Sequence, residues 1–104
     1  MLVVYADWCP SCQQLKPTLA LLNDRYKGRI RFVRFDITSE ATEAKSQEQA
    51  VKMGLGDFYE KNHDRTAVVI ILDPSRHEVF RTINDYVPEH YETVLNQQLS
   101  AAHN

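Results

Sequence analysis

Cys9 and Cys12 are the only cysteines in the chain, and two residues separate them. Two thiols at that spacing suit one chemistry above others. One sulfur attacks a disulfide as a thiolate, and the second displaces it by closing an internal disulfide. The surrounding order, Trp8-Cys9-Pro10-Ser11-Cys12, supports this reading. An apolar run, Leu2-Val3-Val4-Tyr5-Ala6, precedes the pair, and a helical pattern of Leu15, Leu19, Leu22 and Tyr26 follows it. Cys9 is therefore expected where a strand hands over to a helix. There the free N–H groups and the positive end of the helix dipole favour a negative sulfur. Cys12 lies one helical turn further on and faces Cys9. Cys9 is the expected nucleophile and Cys12 the expected resolving thiol, with Trp8 an apolar flank for a protein substrate.

Plainer readings compete with this one. Half of a zinc site is one, but the sequence has no second Cys-x-x-Cys, and His63, His77, His90 and His103 show no ligand spacing. No metal is expected. Trp8 is almost as well explained by packing, Asp7 by simple loop exposure, and the histidines by solvation. A structural staple is excluded more firmly, because so short a disulfide loop removes little entropy from the unfolded chain.

The elements that must position the pair are legible. Leu2 to Ala6 reads as a buried strand. Pro10 suits the first position of a helix running to about Lys27, with Gly28 as its stop and Pro17 as an internal kink. Ile30 to Ile37 alternates as a strand, and Thr38 or Ser39 caps a helix with Ala41, Ala44 and Val51 on a weak apolar face. Gly54 and Gly56 interrupt that helix, and Asp57 to Lys61 forms a short one. Thr66 to Leu72 is the central strand, Asp73 to His77 a turn, and Glu78 to Ile83 a partly exposed strand. Pro88 opens a last helix carrying Tyr91, Val94, Leu95, Leu99 and Ala102 on one face. The order β-α-β-α-β-β-α predicts an α/β fold, a four-stranded mixed sheet flanked by helices.

Composition sets outer limits. The 104 residues suit one domain, residues 1–104, with a single core. A net charge of −2 gives no electrostatic reason to expect nucleic acid or an anionic membrane. No stretch approaches the roughly 20 apolar residues of a membrane span. The first residues lack the basic region of a signal peptide, and Asp7 interrupts them early. The chain as given is expected in the cytoplasm, with an exported or membrane-tethered parent as the alternative.

Residues 3–12, Val-Val-Tyr-Ala-Asp-Trp-Cys-Pro-Ser-Cys, resemble the active-site segment of the thioredoxin superfamily. Pro17, five residues after Cys12, matches that family's kinking proline; Asp36 after Arg34-Phe35 and the segment Asp73-Pro74 with Glu78-Val79 resemble its second strand and its hairpin. The resemblance implies a thioredoxin-like fold. It also marks four departures. No β-α unit precedes the active-site strand, leaving a minimal core of the glutaredoxin kind. Val3 stands where the family has a buried Asp that helps deprotonate the resolving thiol, which implies slower and more pH-dependent resolution. No proline lies between Pro17 and Pro74, so Thr66-Ala67 occupies the place of the family's cis-proline, and a trans peptide is expected there. Residues 38–65 are longer than the family needs, and Gly54 to Asp64 is expected to cover one rim of the site or bind a partner. Asn84-Asp85-Tyr86 replaces the Gly-Gly of glutaredoxins, which disfavours glutathione; Arg65 and Thr66 are the remaining candidate contacts.

The sequence therefore reads as a thiol:disulfide oxidoreductase using Cys9 and Cys12 on protein disulfides, with no cofactor. Trp8, Pro10, Ser11, Thr66 and Ala67 are the expected substrate contacts. Its partners are expected to be protein disulfides or dithiols and a redox partner, and the chain is expected to be a monomer. The alternative is a binding module of the same fold with little or no turnover.

Overall fold

A computed structural model describes residues 1–102, with side-chain environments for residues 1–100; His103 and the side chain of Ala102 lie outside the described residues. Eight elements follow in order: β1 (Leu2–Tyr5), α1 (Pro10–Arg25), β2 (Val33–Asp36), α2 (Glu40–Lys52), α3 (Gly56–Asn62), β3 (Val68–Leu72), β4 (Glu78–Ile83) and α4 (Pro88–Ala102). The strands form one sheet in the order β2-β1-β3-β4. β1 and β2 are parallel, while β3 runs antiparallel to both β1 and β4. This is the mixed sheet expected from the sequence.

Register and the period of two sort the side chains onto two faces. Leu2 and Val4 of β1 share a face with Val33 and Phe35 of β2, Val68 and Ile70 of β3, and Arg81 of β4. Helix α3 closes that face. The Tyr59 ring meets Phe35 edge-on at 5.4 Å, and Arg81 Nη1 donates to Asn62 Oδ1 at 2.7 Å. Val3, Val69 and Thr82 point to the other face, under α1 and α4. There the Phe80 and Tyr91 rings pack edge-on at 6.0 Å, and the Thr18 hydroxyl of α1 donates to the Tyr86 carbonyl just before α4. Burying both faces explains why β1 and β3 read as continuous apolar runs, whereas the edge strand β4 is half exposed.

Several boundaries move for physical reasons. Helix α1 runs through Pro17 and ends at Arg25, short of Lys27; Gly28, with φ of 81°, sits in the turn beyond. β3 starts two residues after Thr66 because Ala67 takes a left-handed conformation, φ 59°, which no strand accommodates. Ser39 is the cap of α2, accepting from the Thr42 N–H, while Thr38 has a different task. The buried face of α2 is Ser46 and Ala50, not Ala41, Ala44 and Val51; Val51 is 65% exposed. Small residues let α2 approach β2 closely, and the Ser46 hydroxyl donates to the Asp36 carbonyl at 2.9 Å. The 54–64 stretch contributes to the core, burying Leu55, Tyr59 and Asn62. No helix among the described residues is long and apolar enough to cross a membrane.

Tyr91 ties α4 to the loop after β4. Its fully buried hydroxyl donates to the Asp85 carbonyl at 2.6 Å and lies 2.7 Å from the Thr82 hydroxyl; burial pushes the phenol up to about 12. Tyr91→Phe leaves that carbonyl without its donor. The expected loss is about 1–2 kcal/mol, or a melting temperature lower by roughly 5–10 °C. A calorimetric scan showing no change would mean that water or another donor satisfies Asp85.

Candidate active site

β1 ends at Tyr5, and the chain turns through Ala6, Asp7 and Trp8 before Cys9 caps α1. Thr38, at the end of the neighbouring strand, fixes this turn. Its hydroxyl accepts from the Asp7 N–H at 2.9 Å, and its carbonyl accepts from Trp8 Nε1 at 3.1 Å. Asp36 holds Thr38 in turn, accepting from both its N–H and its hydroxyl. From the helix side, Gln13 Nε2 donates to the Asp7 carbonyl at 2.8 Å. Sequence reasoning considered Thr38 only as a helix cap; a Thr two residues after a strand Asp was the available signal.

Cys9 has extended backbone angles and no side-chain cap, so its sulfur replaces the usual capping oxygen at the start of α1. Both cysteines are free and buried, Cys9 at 6% exposure and Cys12 at 0%. Burial alone raises the Cys9 thiol, but donors more than offset it. The Thr66 hydroxyl lies 3.0 Å from Sγ, the Cys12 thiol and N–H point at it, and the Ser11 N–H adds to them. The net effect holds Cys9 below the ordinary thiol range. Cys12 moves the other way. Burial pushes it up, and the neighbouring Cys9 sulfur adds to that despite the Ala6 and Ala67 backbone N–H groups. No carboxylate is among the groups acting on Cys12; Val3, buried in β1 on the α1 face, offers none.

The other residues singled out from the sequence separate by exposure. Trp8 is 63% exposed, yet its indole is pinned by Thr38. Pro10 is exposed and Ser11 half-buried, both in the first turn of α1. Thr66 is half-buried with its hydroxyl on Cys9. Ala67 is fully buried, its N–H donating to the Val4 carbonyl and its carbonyl accepting from the Asn84 N–H. All described peptide bonds are trans, the Thr66–Ala67 bond among them. The left-handed Ala67 and its two backbone bonds bring Thr66 up to the sulfur. Arg65 is exposed. Of the described histidines, His63 stacks on Tyr59, His77 lies in the β3–β4 turn and His90 bonds Asp85; none of these three meets the cysteines.

The sequence model of the family described as Thioredoxin matches residues 1–54. A stretch of 33 residues is 46% identical to the thiol:disulfide interchange protein TxlA homolog of Synechocystis, covering 32% of this chain and 18% of that protein. Another of 35 residues is 37% identical to Thioredoxin C-2 of Corynebacterium nephridii, covering 34% and 32% respectively. The matches thus span about a fifth and a third of the relatives' lengths. Among solved structures, Trxlp from Edwardsiella tarda superposes with a TM-score of 0.59 over 90% of this chain and 78% of that one. At 21% identity that likeness shows a common fold.

The donors around Cys9 make a measurable pH signature. Because its anion is favoured, alkylation of Cys9 should persist as pH falls below the ordinary thiol range, while Cys12 should react slowly. Thr66→Val removes one donor. Its Cys9 pH–rate profile should move up toward that of a free thiol, with alkylation at neutral pH slowed roughly tenfold, and Thr66→Ser should restore it. An unchanged profile in Thr66→Val would show that the hydroxyl does not hold the anion.

Proposed function

The chain belongs to the thioredoxin family, and on that premise we propose that it is a thiol:disulfide oxidoreductase acting on protein disulfides. One observation carries the reading: the two sulfurs are pushed in opposite directions, Cys9 toward thiolate and Cys12 toward thiol. That split supports Cys9 as the attacking sulfur and Cys12 as the resolving one. Cys9 attacks one sulfur of a substrate disulfide and forms a mixed disulfide; the other substrate sulfur leaves as a thiolate and takes a proton from water. Cys12 then loses its proton and attacks Cys9 Sγ. The internal disulfide closes, and the second substrate thiolate departs. Two electrons pass from the dithiol to the substrate, and the same steps reversed oxidise a substrate dithiol. The direction follows the difference between the two reduction potentials.

In this reading Trp8, Pro10 and Ser11 form one wall of the docking surface and Thr66 the opposite one, with Ala67 supporting Thr66 from behind. Residues 1–104 act as one thioredoxin-like domain, monomeric in the catalytic cycle. With valine rather than a carboxylate at position 3, the resolving proton passes to water or to another group.

Reduction of a model protein disulfide, with dithiothreitol regenerating the dithiol, tests the assignment. Cys9→Ser should abolish turnover, and Cys12→Ser should accumulate a mixed disulfide with Cys9. An inactive parent chain would instead favour a binding module. The closing step has its own signature. Cys12 is raised and lacks an acid partner, so its attack on the Cys9 mixed disulfide should quicken about tenfold per pH unit through neutrality. A flat rate across that range would reveal a proton acceptor beside Cys12.

A further inference from the structure

The Trp8 ring is 63% exposed, so packing does little to hold it. Its indole N–H has one hydrogen-bond partner among the described residues, the Thr38 carbonyl. Thr38 is oriented in turn by a single carboxylate oxygen. Asp36 Oδ1 accepts from the Thr38 N–H at 2.9 Å and also from its hydroxyl. A hydroxyl has only one proton. With that proton on Asp36, the oxygen's lone pairs are left to face the Asp7 N–H, which donates to it at 2.9 Å. Asp36 is anchored as well. Its backbone pairs with Tyr5 across the β1–β2 ladder, and its carbonyl accepts from the Ser46 hydroxyl of α2 at 2.9 Å. Burial disfavours its charge, but the Thr38 bonds more than offset this, and the carboxyl stays below the usual range. The donors acting on Cys9 are a separate set, from Thr66, Cys12 and Ser11.

We propose that Asp36, acting through Thr38, is a positioning residue for protein disulfides: it fixes the Trp8 ring before a substrate chain arrives. The assignment rests on the oxidoreductase reading above. An indole free to swing must be ordered when a chain lies against it, which weakens docking without altering the sulfur chemistry. A small disulfide reaches Cys9 with little contact to Trp8 and is nearly indifferent to the clamp. Asp36 therefore acts on the choice between large and small substrates.

The test mixes the reduced chain with insulin or with hydroxyethyl disulfide and follows loss of the dithiol against substrate concentration. Asp36→Ala and Thr38→Val should each raise the half-saturating insulin concentration about tenfold, with the limiting rate little changed. The rate with hydroxyethyl disulfide should fall by less than about twofold. Thr38→Ser keeps the hydroxyl and should behave as the parent does. Trp8 is the only tryptophan, so its fluorescence anisotropy decay reports this ring alone. A fast nanosecond component should appear in Asp36→Ala and not in Thr38→Ser. Trp8→Ala should already carry the insulin defect, and adding Asp36→Ala should deepen it by less than about twofold. Should Asp36→Ala fail to fold, Asp36→Asn keeps an acceptor oxygen and should show the same split with a smaller loss. Equal losses for both disulfides would overturn the assignment, as would additive losses in the double variant or an unmoved anisotropy decay. A parent chain that reduces neither disulfide would sink the oxidoreductase reading and this role with it. A parent that reduces both, beside an unaltered Asp36→Ala, sinks the positioning role alone.

Discussion

The Cys9 sulfur is nearly enclosed by protein, and a negative charge in such a place is stable only where hydrogen-bond donors reach it. Much of the structure around the site serves that requirement. The start of α1 supplies the N–H groups of Ser11 and Cys12, and the segment leading into β3 brings the Thr66 hydroxyl from 57 residues away. Ala67 adopts a left-handed conformation to make that delivery, braced between β1 and the end of β4. A strained residue of this kind persists only where its surroundings hold it, as the two backbone bonds do here.

The same enclosure divides the labour between the sulfurs. Cys12 is deeper and lacks a comparable set of donors, so burial pushes its thiol up and the neighbouring Cys9 sulfur adds to that. No carboxylate acts on Cys12 to offset this, and Val3 is a buried hydrocarbon. The Trp8 turn is treated differently. It stays in solvent but is not loose, because Thr38 and Gln13 fix it from two sides. In the proposed reaction, such a fixed, exposed aromatic beside Cys9 would let a substrate chain dock at a smaller ordering cost.

Much of this was legible residue by residue. Local signals, apolar runs or alternation for strands and a 3.6 period with proline and glycine breaks for helices, located every element, and Pro10 after Cys9 marked the start of α1. The misreadings share a cause. The face of α2 was assigned from hydrophobicity, yet the helix lies so close to β2 that Ser46 and Ala50 fit and Val51 does not. The long 54–64 segment looked like a rim or a partner loop, but Tyr59 and Asn62 show it closing the sheet's second face. Packing distance is a property of two elements and cannot be read from one.

The sequence by itself determined the dithiol, its place at a helix start and the αβ order, because each depends on residues within a turn or two of one another. Only the tertiary structure supplied the partners that favour the Cys9 anion beyond the helix start. The Thr66 hydroxyl on Cys9 and the Thr38 clamp on Trp8 both arise from contacts between distant segments. Hydrogen bonds and desolvation act through space, so the chain had to fold before they existed.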